Sequence, residues 1–376
     1  MTRNPIPRRA LLRAAGAAGA LSAAGCMVPA ITSAPPRLKL VGEAQLPHRM
    51  KFRDTVVGGL SGIDFDPGRN RWVALSDDRS EHGPARFYTL DLQPSPGQLQ
   101  VTFKDVHILR QPDGQPFPSR RQGGSVPDPE AVRILPSGDL LWTSEGDGAL
   151  KLSPWLREAR PDGAHVREFE LPAMLRFGAD ATLGPRNNLT LEGLAVTPDG
   201  QGVWAAMENA LVQDGGMPTL ESAGGPCRFT LFDVASGRAV RQVAYQPDSI
   251  PARPIPPGSF ADNGVSEILM ADEHRMLVLE RAFMMGRGMS LRLYEIDVRA
   301  GSDTLGVPAL SAGNHRAAPK ALLADFAQLG LSRLDNTEGM CWGPRMASGA
   351  RTLVFVSDDN FNPLQVTQFA ACQFLE

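Results

Sequence analysis

One pattern occurs five times along the chain and constrains the fold more than any other feature. Gly59-Leu60-Ser61-Gly62-Ile63-Asp64-Phe65 leads to Trp72-Val73-Ala74-Leu75-Ser76-Asp77-Asp78. Pro129-Glu130-Ala131-Val132 leads to Leu140-Leu141-Trp142-Thr143-Ser144-Glu145, and Leu191-Glu192-Gly193-Leu194 leads to Val203-Trp204-Ala205-Ala206-Met207-Glu208. Ser266-Glu267-Ile268-Leu269 leads to Met276-Leu277-Val278-Leu279-Glu280-Arg281, and Thr337-Glu338-Gly339-Met340 leads to Leu353-Val354-Phe355-Val356-Ser357-Asp358. A repeat of this period must be read before any single motif, because each unit cannot bury its apolar face alone. Asp66-Pro67-Gly68, Pro136-Ser137-Gly138 and Pro198-Asp199-Gly200 are tight-turn sequences, so each unit reads as strand, turn, strand. The second strand is an unbroken apolar run, which suits a strand covered on both faces.

Further strands follow each hairpin. Arg86–Asp91, Arg228–Asp233 and Leu291–Asp297 resemble one another, and fourth strands are expected near Val101–Leu109, His165–Leu171, Val240–Tyr245 and Ala317–Leu323. Four antiparallel strands repeated about every 70 residues predict an all-β chain folded as a β-propeller. The repeat count gives five four-stranded blades; the long loops leave a sixth open. The last unit is short, with only Leu364–Phe374 after its hairpin, so the N-terminal strand Leu38–Leu46 is expected to close the ring and remove a free edge. The 38 glycines and 32 prolines agree with many turns and few helices.

The N-terminus reads as an export signal. Arg8-Arg9 precedes an Ala, Gly and Leu run too short to span a bilayer, which suggests the twin-arginine route and a periplasmic or secreted protein. Residues 1–34 are assigned to that segment and 35–376 to one propeller domain. Ala23-Ala24-Gly25-Cys26 resembles a lipoprotein box, so Cys26 is a candidate acylation site and the one membrane attachment the sequence suggests. Removing the four arginines of residues 1–25 from a net charge of −3 leaves −7. A body of that sign is not expected to bind nucleic acid. Cys341 and Cys372 could pair after export; the alternative is that they and Cys227 are three buried thiols. The chain is expected to be monomeric.

The repeat also keeps charge. The first row, at the start of each inner strand, reads Ser61, Glu130, Glu192, Glu267 and Glu338. The second row, after each second strand, reads Asp77, Glu145, Glu208, Glu280 and Asp358. In a propeller these rows become rings at one mouth of the central channel, because the start of one strand and the end of its antiparallel neighbour lie together. Clustered carboxylates need protons or a cation. Oxygen donors without His or Cys favour a hard ion, calcium before magnesium. Glu130, Glu192, Glu267, Glu338, Asp77, Glu145 and Glu280 are therefore the candidate metal ligands. Arg79, Arg281, Arg287 and Asn360 are candidate substrate contacts.

Glu338-Gly339-Met340 and Ser357-Asp358-Asp359-Asn360-Phe361, with Gly59-Leu60-Ser61-Gly62 and Leu279-Glu280-Arg281, resemble the bacterial phytase-like (esterase-like activity of phytase) family over roughly residues 40–375. The resemblance implies an exported propeller related to calcium-dependent phosphoesterases. The leading expectation is thus hydrolysis of a small, phosphorylated ester, with Glu208 or Asp358 as general base and Arg281 stabilising developing charge. Two alternatives stand beside it: a calcium-dependent lactonase or carboxylic esterase, and a non-enzymatic envelope propeller with a structural calcium. The five lysines, Lys39, Lys51, Lys104, Lys151 and Lys320, do not make the lysine-rich site that inositol hexakisphosphate would need.

Overall fold

A computed structural model describes residues 37–375. The expected export segment and Cys26 lie outside those residues. The fold is all-β, with only three 3₁₀ turns beside the strands among the described residues. After β1 (Leu38–Gln45) comes a small hairpin, β2 (Lys51–Phe52) and β3 (Thr55–Val56). Then follow β4 (Leu60–Asp66), β5 (Arg71–Ser76), β6 (Arg86–Ser95) and β7 (Gly97–Ile108). The next group is β8 (Pro129–Ile134), β9 (Leu140–Ser144), β10 (Trp155–Ala159) and β11 (His165–Glu168). It is succeeded by β12 (Leu191–Val196), β13 (Gly202–Met207), β14 (Cys227–Asp233) and β15 (Arg238–Tyr245). Then come β16 (Ala261–Met270), β17 (Arg275–Met284), β18 (Gly288–Asp297) and β19 (Lys320–Asp325). The chain finishes with β20 (Asn336–Gly343), β21 (Arg351–Asp358) and β22 (Gln368–Phe374).

Strands β8–β11, β12–β15 and β16–β19 form three four-stranded antiparallel sheets. An eight-stranded sheet runs β20-β21-β22-β1-β7-β6-β5-β4. Its two halves are joined in the hydrogen-bonded ladder only by β1 and β7, at Gly42–Gly97 and Glu43–Gln98. β1 is antiparallel to β22 from Leu38–Phe374 to Gln45–Gln368, so the N-terminal strand closes the ring as expected. The first strands pack edge to edge in the cyclic order β4, β8, β12, β16, β20 and back to β4. This is a β-propeller architecture.

Burial follows strand order. The second strands are buried on both faces, as at Met276–Leu279. The outermost strands alternate, with β11 reading half-buried, exposed, half-buried, exposed. Apolar clusters fill the gaps between neighbouring sheets, for example Phe87, Leu109, Trp142 and Trp155 between the β4–β7 and β8–β11 groups. Among the described residues Cys227, Cys341 and Cys372 are buried and free, so Cys341 and Cys372 are not paired.

A charged side chain crosses the axis. Arg133, the penultimate residue of β8, is 2% exposed. Its Nη1 donates to the carbonyls of Ile63 (3.0 Å) and Val132 (2.8 Å), and its Nη2 to those of Ile268 (3.0 Å) and Met340 (3.0 Å). Glu267 faces it at 2.7 Å. The other carboxylate oxygen of Glu267 accepts the amides of Leu194 and Ile268, each at 2.9 Å. One ion pair therefore bonds to all five inner strands. Removing one member of a buried pair strands the other charge, whereas replacing both by apolar groups is often tolerated. Arg133→Ala is expected to lower unfolding stability in urea by about 3–5 kcal/mol. Arg133→Met with Glu267→Leu is expected to lose much less. A single variant as stable as the parent would show that the pair does not hold the ring.

Candidate functional site

The mouth is built by β-bulges. Each inner strand has a register shift near its start: between Leu60 and Gly62, Pro129 and Val132, Leu191 and Gly193, Val265 and Glu267, and Thr337 and Gly339. A bulge leaves the extra residue out of the ladder and re-aims its side chain. The residues so placed are Ser61, Glu130, Glu192, Ser266 and Glu338. The glycine after the bulge allows the inner strands to approach. A Cβ on Gly193 would lie 2.8 Å from the Ile268 nitrogen, and one on Gly339 2.8 Å from the Ser61 oxygen.

The second row is set by pairing with the residue two before the bulge. The amides of Asp77, Glu145 and Glu208 donate to the carbonyls of Gly59 (2.7 Å), Asp128 (2.9 Å) and Thr190 (2.7 Å). Asp358 pairs with Asn336 and, in the β16–β17 hairpin, Arg281 pairs with Gly264. Ser266 and Arg281, not Glu267 and Glu280, are thus the structural equivalents in that hairpin. The expected placement of those two acids in the rings is corrected by one residue, and a one-residue slip turns a side chain to the opposite face. Glu267 belongs to the axial pair with Arg133. Glu280 faces the neighbouring sheet, 2.5 Å from the Tyr245 hydroxyl, 2.5 Å from Lys320 Nζ and 2.9 Å from Asn263 Nδ2.

Five of the seven candidates are brought together: Asp77, Glu130, Glu145, Glu192 and Glu338. Glu208 and Asp358 join them, and so does Asp128, which repeat reasoning missed. Oxygen atoms of Asp128, Glu130 and Glu145 lie within 4.8 Å of one another, as do those of Glu145, Glu192 and Glu208. Glu145 is common to both groups. Asp128 breaks the repeat, since the matching positions are Gly59, Thr190, Gly264 and Asn336. The signal for it was local: Asp128 stands two residues before Glu130.

Two guanidinium groups touch this cluster. Arg281 reaches Glu338 Oε1 (2.7 Å) and Glu208 Oε1 (3.2 Å) and also bonds Asn336. Arg79 donates through Nε to Asp128 Oδ1 (2.7 Å) and through Nη2 to Asn188 (2.7 Å). The remaining candidates lie apart. Arg287 is exposed at the β17–β18 turn, with its Nε on the Arg253 carbonyl at 2.5 Å. Asn360 is exposed, and its backbone amide donates to Asp358 Oδ1 at 2.8 Å.

Burial drives the electrostatics. Glu145 and Glu208 are both pushed up to about 8 and Asp128 to about 7, first by burial. Neighbouring carboxylates raise them further, while Arg281 opposes the shift at Glu208 and Arg79 opposes it at Asp128 and Glu145. Asp77, Glu130, Glu192 and Asp358 are held well above the ordinary carboxylate range by burial and by one another. Glu338 Oε2 is buried with no hydrogen-bond partner. Oxygen-only donors, an unpartnered buried oxygen and carboxylates that resist ionisation together suit a hard divalent cation.

The sequence matches the model of the phytase-like family, described as esterase-like activity of phytase, over residues 55–361. The chain belongs to this family. No curated protein matches it. Among solved structures, endo-arabinase from Bacteroides thetaiotaomicron VPI-5482 is 10% identical, with 85% of this chain and 95% of that one covered and a TM-score of 0.44. The periplasmic gluconolactonase of Pseudomonas aeruginosa is 12% identical, with 86% and 87% covered and a TM-score of 0.36. A protein of unknown function from Dyadobacter fermentans DSM 18053 is 9% identical, with 90% and 100% covered and a TM-score of 0.40. Likeness at that distance says nothing about activity.

The raised values in this phytase-like protein set a pH dependence. The folded state binds protons that the unfolded state, with ordinary glutamate values near 4.5, releases. Stability without a divalent cation is therefore expected to fall as pH rises from about 5 to 8. Thermal melts across that range in chelator should show the decline, and saturating calcium should flatten it. Glu145→Gln should reduce the decline in chelator. A chelated protein equally stable at pH 5 and pH 8 would mean that the carboxylates are not crowded.

Proposed function

We propose that this protein is a metal-dependent hydrolase of small carboxylic esters or lactones, with the reaction at the carboxylate-lined mouth. One observation carries this reading: seven buried carboxylates and the half-buried Asp77 share the mouth with two guanidinium groups, both already ion-paired. A neutral ester carbonyl can approach such a site. A phosphate group would add negative charge where it is already in excess, and Lys320 is already held by Glu280 and Asp248 at 2.5 and 2.7 Å. Phosphorylated esters, the leading expectation from sequence, therefore fit less well than the lactonase or esterase alternative.

Asp128, Glu130, Glu145, Glu192 and Glu208 would hold the cation, and calcium suits an adaptable set of oxygen donors. A bound divalent ion supplies Lewis acidity toward a carbonyl oxygen and lowers the pKa of water. The chain's own residues do the rest. Arg281, kept in place by Glu338 and Glu208, orients the ester and offsets charge developing on its oxygen. Asp358, held above the ordinary carboxylate range by burial and by Glu338, takes the proton of the attacking water. Asn336 positions it by donating to both Glu338 (2.9 Å) and Asp358 (3.4 Å). A non-catalytic propeller with a structural ion is the rival, favoured by carboxylates that come from separate hairpins and would be tied by one cation.

The same reading takes the eight-stranded sheet as two blades that touch through β1 and β7. It makes five four-stranded blades in one domain, exported as a monomer to the periplasm or beyond.

The test is metal analysis of the purified protein, then a panel of aryl esters, γ- and δ-lactones and phosphomonoesters with and without chelator. Ester or lactone hydrolysis is expected, abolished by chelator and restored by calcium. Asp358→Asn should lower kcat by roughly 10²–10⁴ with little change in KM. Turnover that ignores the chelator, or turnover of phosphomonoesters alone, would refute the proposal. Loss of thermal stability in chelator with no turnover of any panel member would establish the structural ion.

A further inference from the structure

Ten large apolar side chains are exposed among the described residues, and six of them stand on loops of the mouth face: Leu150, Leu183, Ile255, Phe260, Met285 and Leu364, at 38–76% exposure. Their loops join second to third strands, or outer strands to the next inner strand, and hydrogen bonds fix them beside the site. Gly148 donates to Asn187, shortly before Thr190, at 2.6 Å. Val212, four residues past Glu208, donates to the Gly184 carbonyl at 2.9 Å. Val366 donates to Asp335, next to Asn336, at 3.1 Å. Of the other four, Val166, Val240 and Leu322 lie on outer strands and Leu375 beyond the far end of β22.

Three of the six form a projecting tip. Two segments 25–30 residues apart in sequence are strapped together by Ile255 N–H to the Met285 carbonyl (2.7 Å) and Met285 N–H to the Phe260 carbonyl (3.0 Å). Gly286, at φ +74°, permits the contact, because a Cβ there would lie 2.4 Å from the Ile255 carbonyl oxygen. The tip is thus built, and it presents Ile255, Phe260 and Met285 to solvent. Two cations flank it: Arg287, and Arg253, whose nearest acid is Glu221 at 3.5 Å with both side chains about 70% exposed.

The geometry points to a lipid surface as the occupant of the Ile255–Phe260–Met285 tip, with those side chains inserted and Arg253 and Arg287, rather than the acidic opening, meeting anionic headgroups. The apolar residues are distributed over several loops around an acidic opening and do not line one cavity, so no small ligand covers them together. A protein partner needs a contiguous patch on the order of 600–800 Å² per side. A bilayer interface takes separate side chains one by one, since each transfers its own apolar area out of water. Flanking arginines add attraction to an anionic leaflet. Among the described residues no helix is long and apolar enough to cross a membrane, so contact would be made by loops. None of this depends on the hydrolase proposal, and the test below has no activity readout.

The test is flotation of the full chain, in calcium buffer, with vesicles of phosphatidylglycerol and phosphatidylethanolamine and with vesicles of phosphatidylcholine alone. Binding is expected, stronger to the anionic vesicles. Phe260→Ser with Met285→Ser should weaken it at least about tenfold, given the transfer free energy of two large apolar side chains. Arg253→Gln with Arg287→Gln should remove only the preference for anionic lipid. Phe260→Trp should gain fluorescence that brominated lipid quenches. No flotation, or flotation that the serine variant retains in full, would overturn the proposal. So would self-association without vesicles that the serine variant abolishes, because the face would then be covered by a second copy.

Discussion

The guanidinium of Arg133 sits where five strands from five hairpins meet and, with Glu267, ties them together. It hydrogen-bonds carbonyls of β4, β8, β16 and β20, while Glu267 accepts from β12 and β16. Inner strands of a propeller meet edge to edge without a continuous ladder, so polar backbone groups near the axis need another partner. One ion pair supplies it and closes the channel beneath the mouth. The pair has an electrostatic consequence too. Burial raises Glu267 to about 7 while Arg133 opposes the rise, so the acid deep on the axis has a dedicated partner.

The acids at the mouth do not. Bulges, made compatible with close strand approach by Gly62, Gly193 and Gly339, turn carboxylates from neighbouring hairpins toward one opening. Arg281 and Arg79 offset only part of the charge. Such an arrangement costs stability unless protons or a cation are bound, and perturbed groups of this kind gather at functional sites. Two acids that look similar in sequence are structural instead. Asp78 is fully buried against Arg86 at 2.7 Å, and Asp359 accepts the amide of Gly59 at 2.9 Å. Those contacts hold the mouth loops so that Asp77 and Asp358 face the opening.

Much of this was legible in the order of residues. Hairpin units, apolar second strands and closure by the N-terminal strand follow from periodicity and turn chemistry, which are local. The two acidic rows were legible in four of the five hairpins. In the β16–β17 hairpin both Glu267 and Glu280 satisfied a pattern that allowed a slip of one, because acids stood next to each true position. The position of a bulge is a property of two paired strands and leaves no mark on one strand alone. Asp128 and Arg133 escaped for another reason. Neither repeats in the other hairpins, so a search for equivalence passed over them.

Sequence by itself determined the strand content, the repeat and the excess of acid at the ends of the inner hairpins, since each rests on neighbours within a few residues. Tertiary structure decided which acids share a pocket, that an arginine stands in the ring of acids, and that the axis is plugged by an ion pair. Those outcomes turn on register and on distances between hairpins some 70 residues apart. Side-chain direction reverses with every residue along a strand, so only the assembled ring could assign each carboxylate to the mouth, the axis or the neighbouring sheet.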